Sequence, residues 1–175
     1  MNVSVPMPVN ESTVWPLSGF GGVSPQAMEL AVNSRWITRN GEPWIPVMGE
    51  FHFSRFPRED WAESLGKMRA GGVNIVATYL FWIHHEEEEG QFRFDGDRDV
   101  GAFVRACAEQ GLQVMLRIGP WAHGECRNGG FPDWLLKKPF DIRGNTPAYL
   151  ALVQSFFEAI HSQVQGMMFK DGGPV

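Results

Sequence analysis

From residue 47 onward, short apolar runs alternate with longer amphipathic segments, and this alternation limits the possible folds more than any other feature. The apolar runs, which have the length of buried strands, cover residues 47–53, 73–80 and 112–118. The segments with helical periodicity follow them at residues 57–70, 98–110 and 146–165. Apolar strands that alternate with amphipathic helices are typical of a parallel sheet covered by helices. The sequence therefore predicts an α/β fold.

The first 46 residues lack this alternation. Residues 1–30 are rich in Pro, Gly and Ser without sustained periodicity, which indicates an extended lead-in to a domain that covers residues 31–175. Apolar runs at residues 35–38 and 44–47 flank Asn40-Gly41, a pair that favours the positive φ angles of a tight hairpin turn. A β-hairpin is therefore predicted just before the first α/β unit.

Polar and aromatic side chains follow the predicted strands. They are Glu50, His52, Tyr79, Trp82, Arg117, Trp121 and Glu125. In a (β/α)8 barrel the active site is built at this end of the strands. A doubly wound nucleotide-binding sheet is less favoured, because no glycine-rich phosphate motif follows the first strand. Since a whole barrel takes about 250 residues, the sequence predicts the N-terminal portion of a TIM barrel, with a hairpin and about three βα units.

The last 30 residues are predicted to form a long helix and the start of a fourth strand. Thr146 is the expected N-cap, and Pro147 occupies the first turn, where proline fits a helix. The expected apolar stripe consists of Leu150, Val153, Phe156, Phe157 and Ile160. Residues 172–175, with the sequence GGPV, are predicted to begin the next strand.

The charge of the chain argues against two classes of partner. The formal net charge is −5, and the lysine and arginine residues form no cluster. Nucleic acids and anionic membranes bind through such clusters, so neither is an expected partner. A neutral ligand fits this charge better. The oligomeric state has no signal in the sequence.

The compartment is predicted from two weaker features. The first ten residues lack the basic and apolar regions of a signal peptide, and no stretch approaches about 18 consecutive apolar residues. Cys107 and Cys126 show neither C-x-x-C nor metal-ligand spacing, so free thiols are expected. These features favour a soluble cytoplasmic protein, with a secreted one as the alternative.

Four motif-like segments follow one another along the chain. They are MGEFHFSR at 48–55, WAESLGKM with GVN at 61–74, TYLFW with His85-Glu86 at 78–86, and LRIGPW with GE and GGFPDWL at 116–135. In this order they resemble glycoside hydrolase family 35, the beta-galactosidase family, and the resemblance covers residues 35–175. The chain departs from the family at Trp121, Gly124, Cys126 and Arg127, where Tyr, Ala, Trp and Asn are common, so the sugar preference stays open.

The resemblance implies a retaining glycoside hydrolase that cleaves terminal beta-galactosyl residues without a metal or another cofactor. Its substrate would be a beta-galactoside or a related oligosaccharide. The substrate-binding residues would be Tyr79, Gly124 and Glu125. The acid/base and nucleophile glutamates are expected after Val175, so no catalytic residue is predicted within the chain, and the 175-residue chain alone is expected to be inactive.

Several of these residues have a structural alternative. Glu125 could be a loop carboxylate paired with Arg117 or Arg127, and Tyr79 could be a core phenol with a local hydrogen-bond partner. Trp82 and Trp121 could be sugar platforms or core residues. His52, His123 and Arg55 are predicted to orient carboxylates rather than to act themselves.

Two other functions stay open at this point. The first is a related TIM-barrel glycosidase that acts on another sugar, such as a glucosidase or mannosidase. The second is a non-enzymatic carbohydrate-binding or assembly module. A catalytic metal is disfavoured, since His84, His85, His123 and Glu125 lack the spacing of zinc motifs.

Overall fold

The computed structural model describes residues 14–175, and the chain divides into two compact units with their boundary between Ile45 and Pro46. The first ten residues, on which the prediction about a signal peptide depends, lie outside the described residues. The described part of the predicted lead-in, residues 14–30, holds one strand and the start of another. The second unit covers Pro46–Val175.

The first unit is a four-stranded antiparallel sheet. Its strands are β1 (Pro16–Val23), β2 (Glu29–Asn33), β3 (Ile37–Arg39) and β4 (Glu42–Trp44), in that spatial order. β3 and β4 form the predicted hairpin, in which Arg39 pairs with Glu42. Asn40 and Gly41 make the turn with φ angles of 52° and 82°, and positive values at both positions are what a type I′ turn requires. The hairpin prediction is confirmed.

The second unit combines a parallel sheet with helices. Strands β5 (Met48–Glu50), β6 (Ile75–Tyr79) and β7 (Gln113–Arg117) pair in parallel, with β6 in the middle. The helices are α1 (Trp61–Ala70), α2 (Trp82–His85), α3 (Val100–Glu109) and α4 (Pro147–Val164). Short 3-10 turns cover Phe53–Arg55, Arg58–Asp60, Gly96–Arg98, Arg127–Gly130, Leu135–Lys137 and Phe169–Asp171. The predicted α/β class is confirmed; the short helix α2 has no counterpart among the predictions.

The two faces of the parallel sheet have different surroundings, because successive side chains of a strand point to opposite sides. Val76 and Val114 are buried and pack into one core with residues of α1, α3 and α4. Met48 and Met115 lie on the opposite face and are 47% and 46% exposed. Helices therefore cover one face, while the other presents apolar side chains to solvent.

The helix ends follow local sequence signals. The Asp99 carboxylate accepts a hydrogen bond of 2.8 Å from the Ala102 amide and so caps the first turn of α3. Gly111, with a φ of 67°, comes just after α3 and allows the chain to leave it. Thr146 and Pro147 stand at the start of α4 as predicted, although the Thr146 side chain makes no capping bond.

The buried stripe of α4 shares Val153, Phe156 and Ile160 with the prediction, while the predicted Phe157 is only half-buried. Its buried residues are Tyr149, Val153, Phe156, Ile160 and Val164. The prediction of Leu150 in this stripe is wrong, since that side chain is 46% exposed. The phase of the stripe depends on partners outside the helix: the Phe156 ring stacks on Trp82 at 4.8 Å, and Tyr149 meets the edge of Phe131 at 6.3 Å.

Residues 172–175 form no assigned strand, but they lie beside β7. Gly172 has a left-handed φ of 91° after the turn Phe169–Asp171. The Val114 amide of β7 then donates a hydrogen bond of 2.8 Å to the Pro174 carbonyl. The backbone at Pro174 therefore occupies the hydrogen-bonding edge of β7 that faces away from β6.

Candidate functional site

One arginine links the carboxyl ends of the three parallel strands. Tyr79 and Arg117 are direct neighbours in the register of β6 and β7. Arg117 places Nη1 2.9 Å from Glu50 Oε2 at the end of β5, and its Nη2 donates to the Tyr79 hydroxyl. Its guanidinium carbon also lies 3.7 Å from the centroid of the Tyr79 ring. The structure thus brings together three of the side chains predicted to follow the strands.

Glu50 is held in its charged form at this strand end. His52 Nε2 lies 2.6 Å from Glu50 Oε1. The hydrogen bond from His52 lowers the pKa of the Glu50 carboxyl most, and the charge of Arg117 lowers it further against the opposing effect of burial. The carboxylate is therefore available at neutral pH to hold both His52 and Arg117.

Tyr79 is buried, with 4% of its surface exposed. Its hydroxyl oxygen accepts from Arg117, so its own proton remains free to be donated to another acceptor. The structure therefore gives the phenol one fixed partner, as the structural alternative expects, and leaves one donor that a ligand oxygen could use.

Glu125 is exposed in the loop that follows β7, and its carboxylate forms no hydrogen bond or ion pair within residues 14–175. The two arginines considered as partners are engaged elsewhere: Arg117 with Glu50, and Arg127 with Asp133 at 2.9 Å. The ion pair that the structural alternative required is absent from the described chain. The Glu125 carboxylate keeps its acceptor sites open.

Gly124 lies against two aromatic rings of the site. A Cβ atom at this position would lie 3.4 Å from Phe81 Cε1 and 3.8 Å from Tyr79 Cδ2, which are ordinary contact distances. The same Phe81 ring is met edge-on by His52, at 5.2 Å between ring centroids. Gly124 therefore lies close to both Tyr79 and the buried Phe81 ring.

Three other predicted residues occupy different surroundings. Trp82 is fully buried and stacks on Phe156, so it is a core residue. Trp121 is half-buried, and the guanidinium carbon of Arg143 lies 4.0 Å from its ring centroid and covers one face. His123 is exposed, with its ring 6.3 Å from that of Trp121. None of these three contacts the Glu50, Tyr79 and Arg117 cluster in the described structure.

Two buried residues near the site, Phe81 and Glu86, were not among the predicted functional residues. Phe81 is fully buried at the centre of the site, and the signal was its position two residues after Tyr79, on the same side of an extended chain. Glu86 begins a run of four glutamates, but it is only 4% exposed. Its carboxylate accepts hydrogen bonds of 2.5 Å from Trp82 Nε1 and 2.7 Å from the Gly90 amide, and burial raises its pKa.

The titratable residues near α2 do not form a metal site. Within residues 14–175, no group of three or more His, Cys, Asp or Glu side chains is arranged to hold a metal ion. Burial lowers the pKa of His84 and of His85 to about 4, so both rings are neutral at physiological pH.

Cys107 and Cys126 are free, as predicted. No helix in the described residues is long and apolar enough to cross a membrane.

The loop that carries Glu125 depends on Gly129, which gives the first testable prediction. Gly129 has a φ of 61°, and a Cβ atom there would lie 2.1 Å from a ring carbon of Trp121. We expect Gly129→Ala to destabilise the protein by about 1–3 kcal/mol, since it adds both backbone strain and overpacking. Urea denaturation would measure the loss.

Gly144→Ala is the matched control, since a Cβ atom at Gly144 would meet no heavy atom within 4 Å. Equal unfolding midpoints for the two variants would show that Trp121 moves aside without cost.

Comparison with known proteins agrees with the order of the motifs. Residues 36–175 match the model for glycosyl hydrolases family 35. A beta-galactosidase from Xanthomonas manihotis is 40% identical over 162 residues, which cover 92% of this chain and 25% of that protein. A human beta-galactosidase is 35% identical over 161 residues, which cover 91% of the chain and 24% of that protein. The chain therefore spans about a quarter of the length of these relatives.

Solved structures resemble the chain in fold. An exo-beta-1,4-mannosidase from an Opitutaceae bacterium has a TM-score of 0.56 and 18% identity, over 87% of this chain and 25% of that one. A GH5_18 protein from Bifidobacterium longum has a TM-score of 0.56 and 14% identity, over 69% of this chain and 30% of that one. At these identities the likeness concerns the fold alone.

Proposed function

Because the chain belongs to glycoside hydrolase family 35, we propose that it supplies part of the catalytic domain, and one wall of the sugar site, of a retaining beta-galactosidase-like enzyme. The enzyme would cleave terminal beta-galactosyl residues from beta-galactosides or related oligosaccharides. The family match over residues 36–175 and the beta-galactosidases among the relatives support this assignment.

The architecture that we propose is the N-terminal portion of a (β/α)8 barrel. Three parallel strands pair in sequence order, and each is followed by helical structure, which is the pattern of successive βα units. The exposed face with Met48 and Met115 would become the inner face of the closed barrel. The hydrogen bond from Val114 to Pro174 lies where a fourth parallel strand would pair with β7.

The observation that carries the proposal is the Glu125 carboxylate in the loop after β7, which has no hydrogen-bond or ion-pair partner among residues 14–175. Arg117 and Arg127 bind other carboxylates, so neither neutralises Glu125. A carboxylate in this state accepts two directional, charge-assisted hydrogen bonds, which suits the paired hydroxyl groups of a sugar. Glu125 would accept from the sugar, Tyr79 would donate to it, and Gly124 would let it approach the loop backbone.

The bond-breaking step requires two further glutamates. One would protonate the leaving oxygen while the other attacks the anomeric carbon and forms a covalent intermediate that water then hydrolyses. We place both after Val175, beyond the fourth strand of the proposed barrel. Residues 1–175 on their own would then bind the sugar weakly and not cleave it.

A panel of nitrophenyl glycosides would test the proposal on the full-length protein that carries these residues. We expect kcat/KM for the beta-galactoside to exceed that for the beta-glucoside and beta-mannoside by at least about tenfold, since the site reads the position of hydroxyl groups. The alpha-galactoside and a heat-inactivated sample are the controls.

Each alternative function predicts a different result, one in this panel and one in a calorimetric binding experiment. A preference for the glucoside or mannoside would assign the protein to another sugar. Binding of oligosaccharides in calorimetry, with no turnover of any glycoside, would assign it to the non-enzymatic carbohydrate-binding class.

A further inference from the structure

Arg55 differs from Arg117, which binds the Glu50 carboxylate, because its hydrogen-bond partner is a main-chain atom of the residue proposed to bind the sugar. We propose that Arg55 is a positioning residue, which fixes the backbone at Glu125 against the Phe81 ring and thereby aims the Glu125 carboxylate at the substrate. This inference rests on the proposed sugar-binding role of Glu125. The sequence suggested that Arg55 orients a carboxylate; the structure shows the contact at a carbonyl instead.

Three contacts define the arrangement. Arg55 lies at the end of the turn Phe53–Arg55 that follows β5, and its Nη2 donates a hydrogen bond of 2.8 Å to the Glu125 carbonyl. Its guanidinium carbon lies 4.3 Å from the centroid of the Phe81 ring. Gly124 lies against the same ring, since a Cβ atom added to this glycine would be 3.4 Å from Phe81 Cε1. Arg55 and Gly124 therefore both lie against the fully buried Phe81, and Arg55 also binds the carbonyl of the next residue, Glu125.

Within residues 14–175, the other hydrogen bonds of this loop involve the neighbours of residue 125 rather than residue 125 itself. The Cys126 amide bonds to the Gly124 carbonyl at 2.7 Å, and the Gly129 amide bonds to the Cys126 carbonyl at 3.1 Å. Both bonds stay within residues 124–129. The loop is also held next to residue 125, since Cys126 packs against Tyr79, Phe81 and Ala122, and the Ala122 amide donates a hydrogen bond of 2.8 Å to the Gly129 carbonyl. The bond from Arg55 connects residues 70 positions apart in sequence, and joins the loop to the end of β5.

Only a guanidinium can make both contacts at once. Its planar face stacks on an aromatic ring, while its N–H groups point outward in the same plane and can reach a carbonyl at the ring edge. A lysine ammonium keeps the charge but has no planar face. Arg55→Lys therefore separates the geometric role of Arg55 from its charge, and Arg55→Met removes both.

The two cysteines provide a direct measure of loop order in the full-length protein. Cys126 is half-buried and adjacent to Glu125, whereas Cys107 is fully buried in the core, where burial raises its thiol pKa to about 12. Iodoacetamide labelling followed by peptide mass spectrometry would report the two sites separately. We expect Arg55→Lys and Arg55→Met to raise the labelling rate of Cys126 by about fivefold or more, since labelling follows local opening, with Cys107 still protected.

A kinetic cycle with Glu125→Gln tests whether Arg55 acts through Glu125. Arg55→Met should lower kcat/KM for a beta-galactoside by about 10- to 100-fold in the wild-type background, as small misplacements of a binding group do. In the Glu125→Gln background the same change should cost less than about threefold, because the group it positions is already lost. Arg69→Met, an exposed arginine on α1, is the control and should change neither readout.

The outcomes separate this inference from the proposed function. Unchanged Cys126 labelling, or equal kinetic losses in both backgrounds, would overturn the positioning role. Labelling of Cys107 as well as Cys126 in both Arg55 variants would also overturn it, since Arg55 would then support the whole fold. If Glu125→Gln alone leaves kcat/KM unchanged, the sugar-binding role of Glu125 fails, and the Cys126 labelling still decides whether Arg55 holds the loop.

Discussion

Glu125→Gln is expected to lower kcat/KM of the full-length protein for beta-galactosides by about 10- to 1000-fold, since hydrogen bonds to sugar hydroxyls strengthen as the oxocarbenium-like transition state forms. The substitution keeps the shape of the side chain and removes its charge. It also leaves the bond between Arg55 and the Glu125 carbonyl in place, because that bond involves the main chain. The loss would therefore reflect the carboxylate itself.

Steady-state kinetics with a nitrophenyl beta-galactoside would measure this loss, and a thermal melt would show that the variant is folded. Glu109→Gln, on the exposed side of α3, removes a carboxylate away from the site and should behave as wild type. Wild-type kinetics in folded Glu125→Gln would mean that Glu125 does not bind the substrate.

Trp82→Ala is expected to reduce the free energy of unfolding by about 3–5 kcal/mol, the usual cost of emptying a large core position. The Trp82 ring is fully buried and stacks on Phe156 of α4 with an interplanar angle of 2°. It also meets Phe131 and Trp134 edge-on, at 6.1 Å and 6.0 Å. These contacts join α2 to α4 and to the segment after β7, and none of the neighbours could fill the space of an indole.

Trp82→Phe separates packing from hydrogen bonding. It keeps most of the ring but removes the donor to Glu86, and leaves the buried carboxylate with the Gly90 amide as its hydrogen-bond donor. We expect a loss of about 1–3 kcal/mol for this unsatisfied group. Urea denaturation would compare both variants with Leu136→Ala, whose side chain is 47% exposed. A loss below about 1 kcal/mol for Trp82→Ala would show that the core repacks there.

The β3–β4 hairpin and the longer helices were predictable because each has a local signal, whereas β1, β2 and the short helix α2 were not predicted. Asn40-Gly41 specifies its turn through the φ angles that these residues tolerate, and glycine and proline mark the ends of the helices. Which side of α4 is buried was harder to predict. Periodicity shows that one face is apolar, but whether Tyr149 or Leu150 lies at its centre depends on Phe131 and Trp82, which come from distant parts of the chain.

The site was only partly predictable for the same reason. That polar residues would gather at the strand ends follows from parallel pairing, and Glu50, Tyr79 and Arg117 do meet there. Their partners could not be read from the sequence. The contact between Arg55 and Glu125 spans 70 residues and involves a carbonyl, which every residue carries. The sugar-binding roles of Tyr79, Gly124 and Glu125 stay predictions.

The charges around β6 have a consequence for how a substrate arrives. Tyr79 and Phe81 each carry a guanidinium against the ring, from Arg117 and Arg55, while Glu50 and Glu125 supply two carboxylates nearby. Two positive and two negative groups leave this patch without a net charge, although the chain as a whole has a formal charge of −5. Long-range steering acts between net charges and is screened by salt. A neutral sugar would thus reach this patch by undirected diffusion, at a rate that ionic strength leaves unchanged.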